Sequence, residues 1–219
     1  EAEESVPWQR VNVDMMGPLT VKTAKGKKTL LVLTMIDPAT GWFEVKDILE
    51  QSSDACSKAF DDTSLCRYPR PQYIGYDNGK EYKRFFREMI ANYGIKGKTT
   101  TTYNPQSNGI IERVHQTLAN SLRTLELEEQ ELDAHDPWSP FLSAAAFAVR
   151  ATCHTTMRAS PGQLVFGRDM VLPIKYVIDW ERLRQVRQKQ INRDNARENR
   201  NRIAHTYKTG DKVLVDESR

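Results

Sequence analysis

The sequence predicts an α/β fold in which three strands come first and helices and strands alternate after them, in the order β-β-β-α-β-α-β-α. Three observations carry this. Short β-branched apolar runs, "VNVDMM" (Val11–Met16) and "TLLVLTMI" (Thr29–Ile36), are bounded by turn-rich stretches, "GPLTVKTAKGKK" and "DPATG", as strands are. After "DNG" the apolar period changes: Phe85, Phe86, Met89, Ile90 and Tyr93 recur as on one helical face, closed by Gly94. The length of 219 residues suffices for one well-buried domain of about 150 residues plus appended segments.

The remaining elements follow in order. "WFEVKDI" (Trp42–Ile48) reads as a third strand. Ser52 or Ser53 caps a helix holding Ala55, Ala59, Phe60 and Leu65, which ends by Tyr68 because Pro69 restricts its predecessor. "PQYIGYDNG" supplies a fourth strand. Asn78-Gly79 alone signals a hairpin, but the helical period beyond it makes the unit strand, turn, helix. "IKGKTTTT" is a fifth strand, polar and β-branched, hence at an edge. Ile111, Val114, Leu118, Leu122 and Leu125 then mark a narrow apolar stripe on a helix starting near Ser107 or Asn108. "WSPFLSAAAFAVRATCH" is small and apolar enough for a largely buried helix. Residues 161–180 form a connector, and Trp180 to about His205 a long polar helix with few apolar anchors, whose plainer reading is a solvated linker.

Charge is distributed unevenly. Between Arg182 and Lys212, ten lysines and arginines face Asp194, Glu198 and Asp211, a net +7 that leaves −4 for the rest of a chain carrying +3. Cys56, Cys66 and Cys153 show no metal-ligand spacing, which favours a reduced, intracellular setting. No apolar run reaches the roughly 18 residues of a membrane span, and "EAEESVPW" does not read as a signal peptide. The start without Met and the end at "GDKVLVDESR" suggest a piece of a longer polypeptide.

The carboxylates carry the chemistry. Asp14 lies inside an apolar strand, where an unpaired charge costs several kcal/mol unless compensated. Asp77 follows the fourth strand where the chain turns, and ligands of open α/β sheets gather at such strand ends. Glu112 lies off the apolar stripe of its helix, on the face shared with Gln116, Ala119 and Arg123. Two aspartates and a glutamate suit two Mg²⁺ (or Mn²⁺) ions, hard cations that take oxygen ligands and, about 4 Å apart, serve in-line displacement at phosphorus. Taken singly, each acid reads as structural before it reads as catalytic, since acids at turns and helix starts are common.

Together, "WQRVNVDMMGPL", "YIGYDNGKEY" and "TYNPQSNGIIERVHQTL" resemble the Asp, Asp, Glu catalytic core of retroviral-type integrases, closest to those of gypsy-like long-terminal-repeat retrotransposons. The resemblance continues through "RATCHTTMRASPGQLVFGRDMVLP" and "RIAHTYKTGDKVLV", nearly the whole chain. It implies a ribonuclease H-like fold, a five-stranded mixed sheet with helices on both faces, followed by a long basic helix and the start of a small β module. Residues 1–6 would be an N-terminal extension, 7–160 the catalytic core, 161–180 the connector, 181–206 the basic helix and 207–219 the incomplete module.

By the same resemblance Asp14, Asp77 and Glu112 are the catalytic metal ligands for two Mg²⁺ or Mn²⁺ ions, and Tyr103, Gln106 and Asn108 contact DNA from an active-site loop. Where relatives place lysines after the Glu, this chain has Gln116 and Ala119, with Arg113 or Arg123 as substitutes. Arg182, Arg184, Arg187 and Lys189 are candidate phosphate contacts of the basic helix. Glu112 stands 35 positions after Asp77, one short of the expected spacing, which points to trimming near Gly94–Thr99. The upstream His/His/Cys/Cys zinc domain is missing and no zinc is expected. The implied activity is metal-dependent 3′-end processing and strand transfer of element DNA into target DNA, by a homo-multimer in the host nucleus with a host chromatin factor as a possible partner and no membrane role. A ribonuclease H-like nuclease, needing a fourth carboxylate from among Asp54, Asp61 and Asp62, and a non-catalytic DNA-binding or multimerising module are the alternatives.

Overall fold

The computed structural model describes residues 6–23, 26–99, 109–127, 136 and 138–200. Three strands, β1 (Arg10–Thr23), β2 (Gly26–Ile36) and β3 (Phe43–Ile48), form an antiparallel meander. Beside β1, β4 (Tyr73–Tyr76) and β5 (Lys96–Thr99) run parallel to it, giving one mixed sheet in the order β3-β2-β1-β4-β5. β5 is the edge, as its polar sequence predicts. "GPLTVKT" is not a turn: β1 runs through it to Thr23, with a bulge between Met16 and Leu19. Gly17 permits this passage, because at φ +116° a Cβ would stand 2.5 Å from the Leu30 carbonyl oxygen.

Alternation along the strands builds two cores. Val11, Val13, Leu33 and Met35 pack with Phe60, Phe86, Tyr82 and Ile90 on one face. Met16, Leu30, Val32 and Ile36 pack with Ile111, Leu118, Leu122 and Leu142 on the other. The first face is covered by α1 (Ser53–Phe60) and α2 (Phe85–Asn92). Ser52 caps α1 by accepting from the Ala55 amide, and a π-helical stretch, Asp61–Leu65, prolongs it. α3 (Gly109–Leu127) and α4 (Ser139–Ala151) cover the second face. The predicted stripe is seen in the burial of Ile111, Leu118 and Leu122. α4 departs from expectation: only Leu142 and Ala146 are buried, while Ala144, Phe147 and Ala148 are exposed. Small residues made it look like a core helix, but a single sheet face buries one stripe only.

α4 is tied to β3 by a buried ion pair. Arg150 Nη2 lies 2.6 Å from Glu44 Oε2, its Nε donates to the Phe43 carbonyl at 2.7 Å, and Trp42 Nε1 donates to Glu44 Oε1 at 3.1 Å. The connector is ordered around α5 (Pro161–Phe166), held by a capping box between Ser160 and Gln163. The basic helix α6 (Trp180–Asn199) is capped by Asp179 and is not a free linker at its start. Leu183 is buried with Met157, Ala159 and Leu164, and Trp180 packs against them. No helix among the described residues is long and apolar enough to cross a membrane.

Candidate active site

The last β1/β4 pair is Asn12 with Gly75. Asp14 and Asp77 each lie two residues beyond it, so parallel pairing brings them to the same level at the carboxyl end of β4. Asp14 stays on β1, ahead of the bulge and on the same side as Met16, which packs with Ile111 and Leu118 of α3, and Asp77 starts the turn. Its Oδ1 accepts from the Gly79 amide at 2.8 Å, an Asx turn leading into a 3₁₀ helix, Lys80–Tyr82. The Asn-Gly pair thus opens a helical turn and no hairpin.

Asp14 is mostly buried, with 26% of its side chain exposed. Its carboxyl is pushed up to about 6, first by burial and then by the negative charges of Asp77, Glu112 and Glu81, against a hydrogen bond from the Met15 amide at 2.8 Å. The Thr34 hydroxyl donates to the Asp14 carbonyl oxygen at 2.9 Å and pairs with His115 Nε2 at 2.7 Å. Its one proton being engaged, that hydroxyl accepts from Nε2–H, which leaves Nδ1 bare in the neutral ring. Nδ1 lies 4.0 Å from Asp14 Oδ2, too far for a hydrogen bond. Burial holds the imidazole down to about 4, so this is no ion pair at neutral pH.

Glu112 stands in the first turn of α3 and is exposed. Its charge bears on Asp14, yet among the described residues no three His, Cys, Asp or Glu side chains converge closely enough to hold a metal. Asp77 is turned to its own backbone, and like charges do not draw together unaided. The donor chemistry nonetheless fits Mg²⁺ or Mn²⁺. All three candidates offer carboxylate oxygen, and Asp14 is burdened by burial and neighbouring negative charge, both relieved by a cation. Two polar atoms beside this cluster, Glu81 Oε2 and the Tyr82 hydroxyl, are buried without a partner.

Sequence reasoning missed Glu81 and the Thr34–His115 pair. Glu81 lies in a turn where acids are common, and His115 gives no local signal because its partner Thr34 stands 81 positions away. The early acids proposed as a fourth carboxylate lie elsewhere: Asp54 pairs with Lys58 at 2.8 Å, Asp61 accepts from the Tyr93 hydroxyl at 3.0 Å, and Asp62 is exposed.

Among candidate DNA contacts, Arg113 and Arg123 are exposed on α3, the latter donating to Asn120 at 3.2 Å. Arg182, Arg184 and Lys189 are exposed on α6, Arg184 bonding the Trp180 carbonyl at 3.3 Å. Arg187 is different. Its guanidinium donates to the Ala39 carbonyl, and its Nε lies 3.4 Å from the Met157 sulfur, so it anchors α6 to the core. Tyr103, Gln106, Asn108 and residues 207–219 lie outside the described residues.

The sheet order and flanking helices define the ribonuclease H-like fold of integrase catalytic cores. Among solved structures, the catalytic core of the HTLV-2 integrase in complex with magnesium aligns over 72% of this chain and 96% of its own, at 21% identity and a TM-score of 0.55. A chain of a simian T-cell lymphotropic virus intasome in complex with a PP2A regulatory subunit, B56 gamma, covers 80% of this chain and 59% of its own, at 19% identity and a TM-score of 0.62. In sequence the chain is similar to the retrovirus-related Pol polyprotein of transposon 412 from Drosophila melanogaster, 28% identical over 167 residues and 76% of this chain. It is also similar to the Gag-Pol polyprotein of feline leukemia virus, 27% identical over 210 residues and 87% of this chain. It spans only 13% and 12% of the length of these two polyproteins. No family model matches the chain. Its relatives are therefore retroviral and retrotransposon Pol polyproteins, and its fold is that of an integrase core.

Proposed function

We propose that this chain is the catalytic portion of a retroelement integrase, a divalent-metal-dependent polynucleotidyl transferase. It cleaves near the 3′ ends of element DNA with water, then joins the exposed 3′-hydroxyl to a target phosphodiester, whose own 3′-oxygen leaves. The observation that carries this is the parallel register setting Asp14 beside Asp77, with Glu112 acting electrostatically on Asp14. Asp14, Asp77 and Glu112 would hold the cations. When bound, divalent cations activate the attacking oxygen and offset charge on the leaving one. The residues themselves orient: the Gly79 amide pins Asp77, while Thr34 fixes the Asp14 backbone and the His115 ring.

Element and target DNA are the proposed substrates, with the exposed cations of α6 as phosphate contacts and Tyr103, Gln106 and Asn108 near the DNA end. The exposed Phe147 face of α4 suits a subunit contact in a homo-multimer. Action in the host nucleus, with a host chromatin partner, belongs to the same proposal. A ribonuclease H-like nuclease is less favoured, because Asp54 and Asp61 are engaged by Lys58 and Tyr93 and Asp62 is exposed.

The test is strand transfer on oligonucleotides with Mg²⁺ or Mn²⁺. Asp14→Asn, Asp77→Asn and Glu112→Gln should each lower it by at least roughly 10²-fold, the scale of a lost electrostatic stabiliser. Near-normal joining by any one of them would sink the three-carboxylate mechanism. Cleavage of RNA–DNA hybrids without joining would favour the nuclease.

A further inference from the structure

We propose that Glu81 is a fourth carboxylate of the cation site, an inference that rests on the reading of Asp14, Asp77 and Glu112 given above. Glu81 sits in the 3₁₀ turn that follows Asp77 and is only 5% exposed. Its Oε2 is buried without a hydrogen-bond partner. The carboxyl group lies against Gly79: a Cβ on that glycine would meet Oε1, Cδ and Oε2 at 2.5, 2.6 and 2.7 Å. The same glycine's amide pins Asp77, so both carboxylates are placed by one turn.

A buried carboxylate left without a partner is costly. The surroundings offer Glu81 no relief. The adjacent Tyr82 hydroxyl is buried and unpartnered, Cys56 is a buried thiol, and the charge of Glu81 is felt at Asp14 and Cys56 alike. Other acids of the domain behave differently: Glu44 meets Arg150, and Asp54 meets Lys58. Among the described residues no cation is paired with Glu81, and the proposed site for one is that of Asp14 and Asp77. Mg²⁺ and Mn²⁺ keep several waters when bound, whose protons need acceptors. Glu81 supplies a free acceptor and one further negative charge, and so raises cation affinity without touching the reacting phosphate. It is a positioning residue.

The experiment is Mn²⁺ titration by calorimetry on the metal-free full chain, with melting temperature measured in chelator. Glu81→Gln keeps the shape and removes the charge. Its Mn²⁺ affinity should fall about tenfold or more, the usual effect of outer partners of metal ligands, while the metal-free protein melts higher. Glu81→Met, which removes both the charge and the carboxyl oxygens and leaves the Gly79 turn untouched, should weaken Mn²⁺ binding similarly, and it decides the matter if Glu81→Gln does not fold. Wild-type Mn²⁺ affinity in a folded Glu81→Gln protein would overturn the proposal. If Asp77→Asn weakens Mn²⁺ binding and Glu81→Gln does not, Glu81 alone is misread; if Asp77→Asn leaves binding unchanged as well, the three-carboxylate reading itself fails.

Discussion

Asp14 and His115 are displaced from their ordinary protonation ranges in opposite directions, and the two displacements act on stability with opposite sign. Burial lowers His115 to about 4, so as pH falls the unfolded chain takes the proton first. Stability is full above about 6.5 and is lost between about 6.5 and 4, by roughly 3 kcal/mol from this group alone. For Asp14, raised to about 6, the folded chain takes the proton first, and the metal-free protein gains stability between about 6 and 3.8. His115→Asn should isolate the first effect. The unfolding free energy of wild type relative to the variant is expected to drop by roughly 3 kcal/mol from pH 7 to 4, and a pH-independent difference in urea unfolding would refute the assignment. Arg150 offers a second test at this scale. Arg150→Met strands Glu44 as a buried charge and should destabilise by about 3–5 kcal/mol, whereas Arg150→Met with Glu44→Gln, which removes the charge and keeps an acceptor for Trp42 Nε1, should recover most of that loss in thermal melts.

At the scale of elements, the first turns of α6 pack on the domain and the later ones are basic and mostly exposed. Leu183 is buried and Arg187 reaches across to the Ala39 carbonyl, while Arg182, Lys189 and Arg193 are exposed. Leu183→Ala should cost about 2–5 kcal/mol if docking is coupled to folding. Its signature is faster amide hydrogen exchange over residues 180–190, and unchanged protection there would mean that α6 holds without the core. α1 makes a smaller case: Ser52→Ala removes the acceptor for the Ala55 amide and should cost about 1 kcal/mol, read from the urea midpoint.

For the whole molecule, the proposed function assigns the acidic body and the basic tail two separate tasks. Asp14 and Asp77 lie at the carboxyl end of β4, and exposed cations line α6. Phosphate contacts of this kind are read by salt. Replacing Arg182, Lys189 and Arg193 by Gln should weaken non-specific DNA binding and lower the salt slope by about 2–3, since each phosphate neutralised contributes about 0.9. The same slope after truncation at Trp180 would remove α6 from the interface.

Much of this was legible in the sequence because local rules suffice for it. Strand and helix order follows from period, Ser52 and Asp179 are recognisable caps, and the exposure of Glu112 follows from its offset to Ile111, Leu118 and Leu122. The aspartates were legible as anomalies, a carboxylate inside an apolar strand and another at a strand end. What only the tertiary structure decided depends on contacts far apart in the chain. The β1/β4 register puts Asp14 at the level of Asp77, Thr34 and His115 meet across 81 positions, and Arg187 docks on Ala39 from 148 positions away. The burial of Glu81 is of the same kind. Its neighbours in sequence predict a solvated turn, and only the packing of that turn against Cys56, Phe86 and the sheet takes its carboxylate out of water.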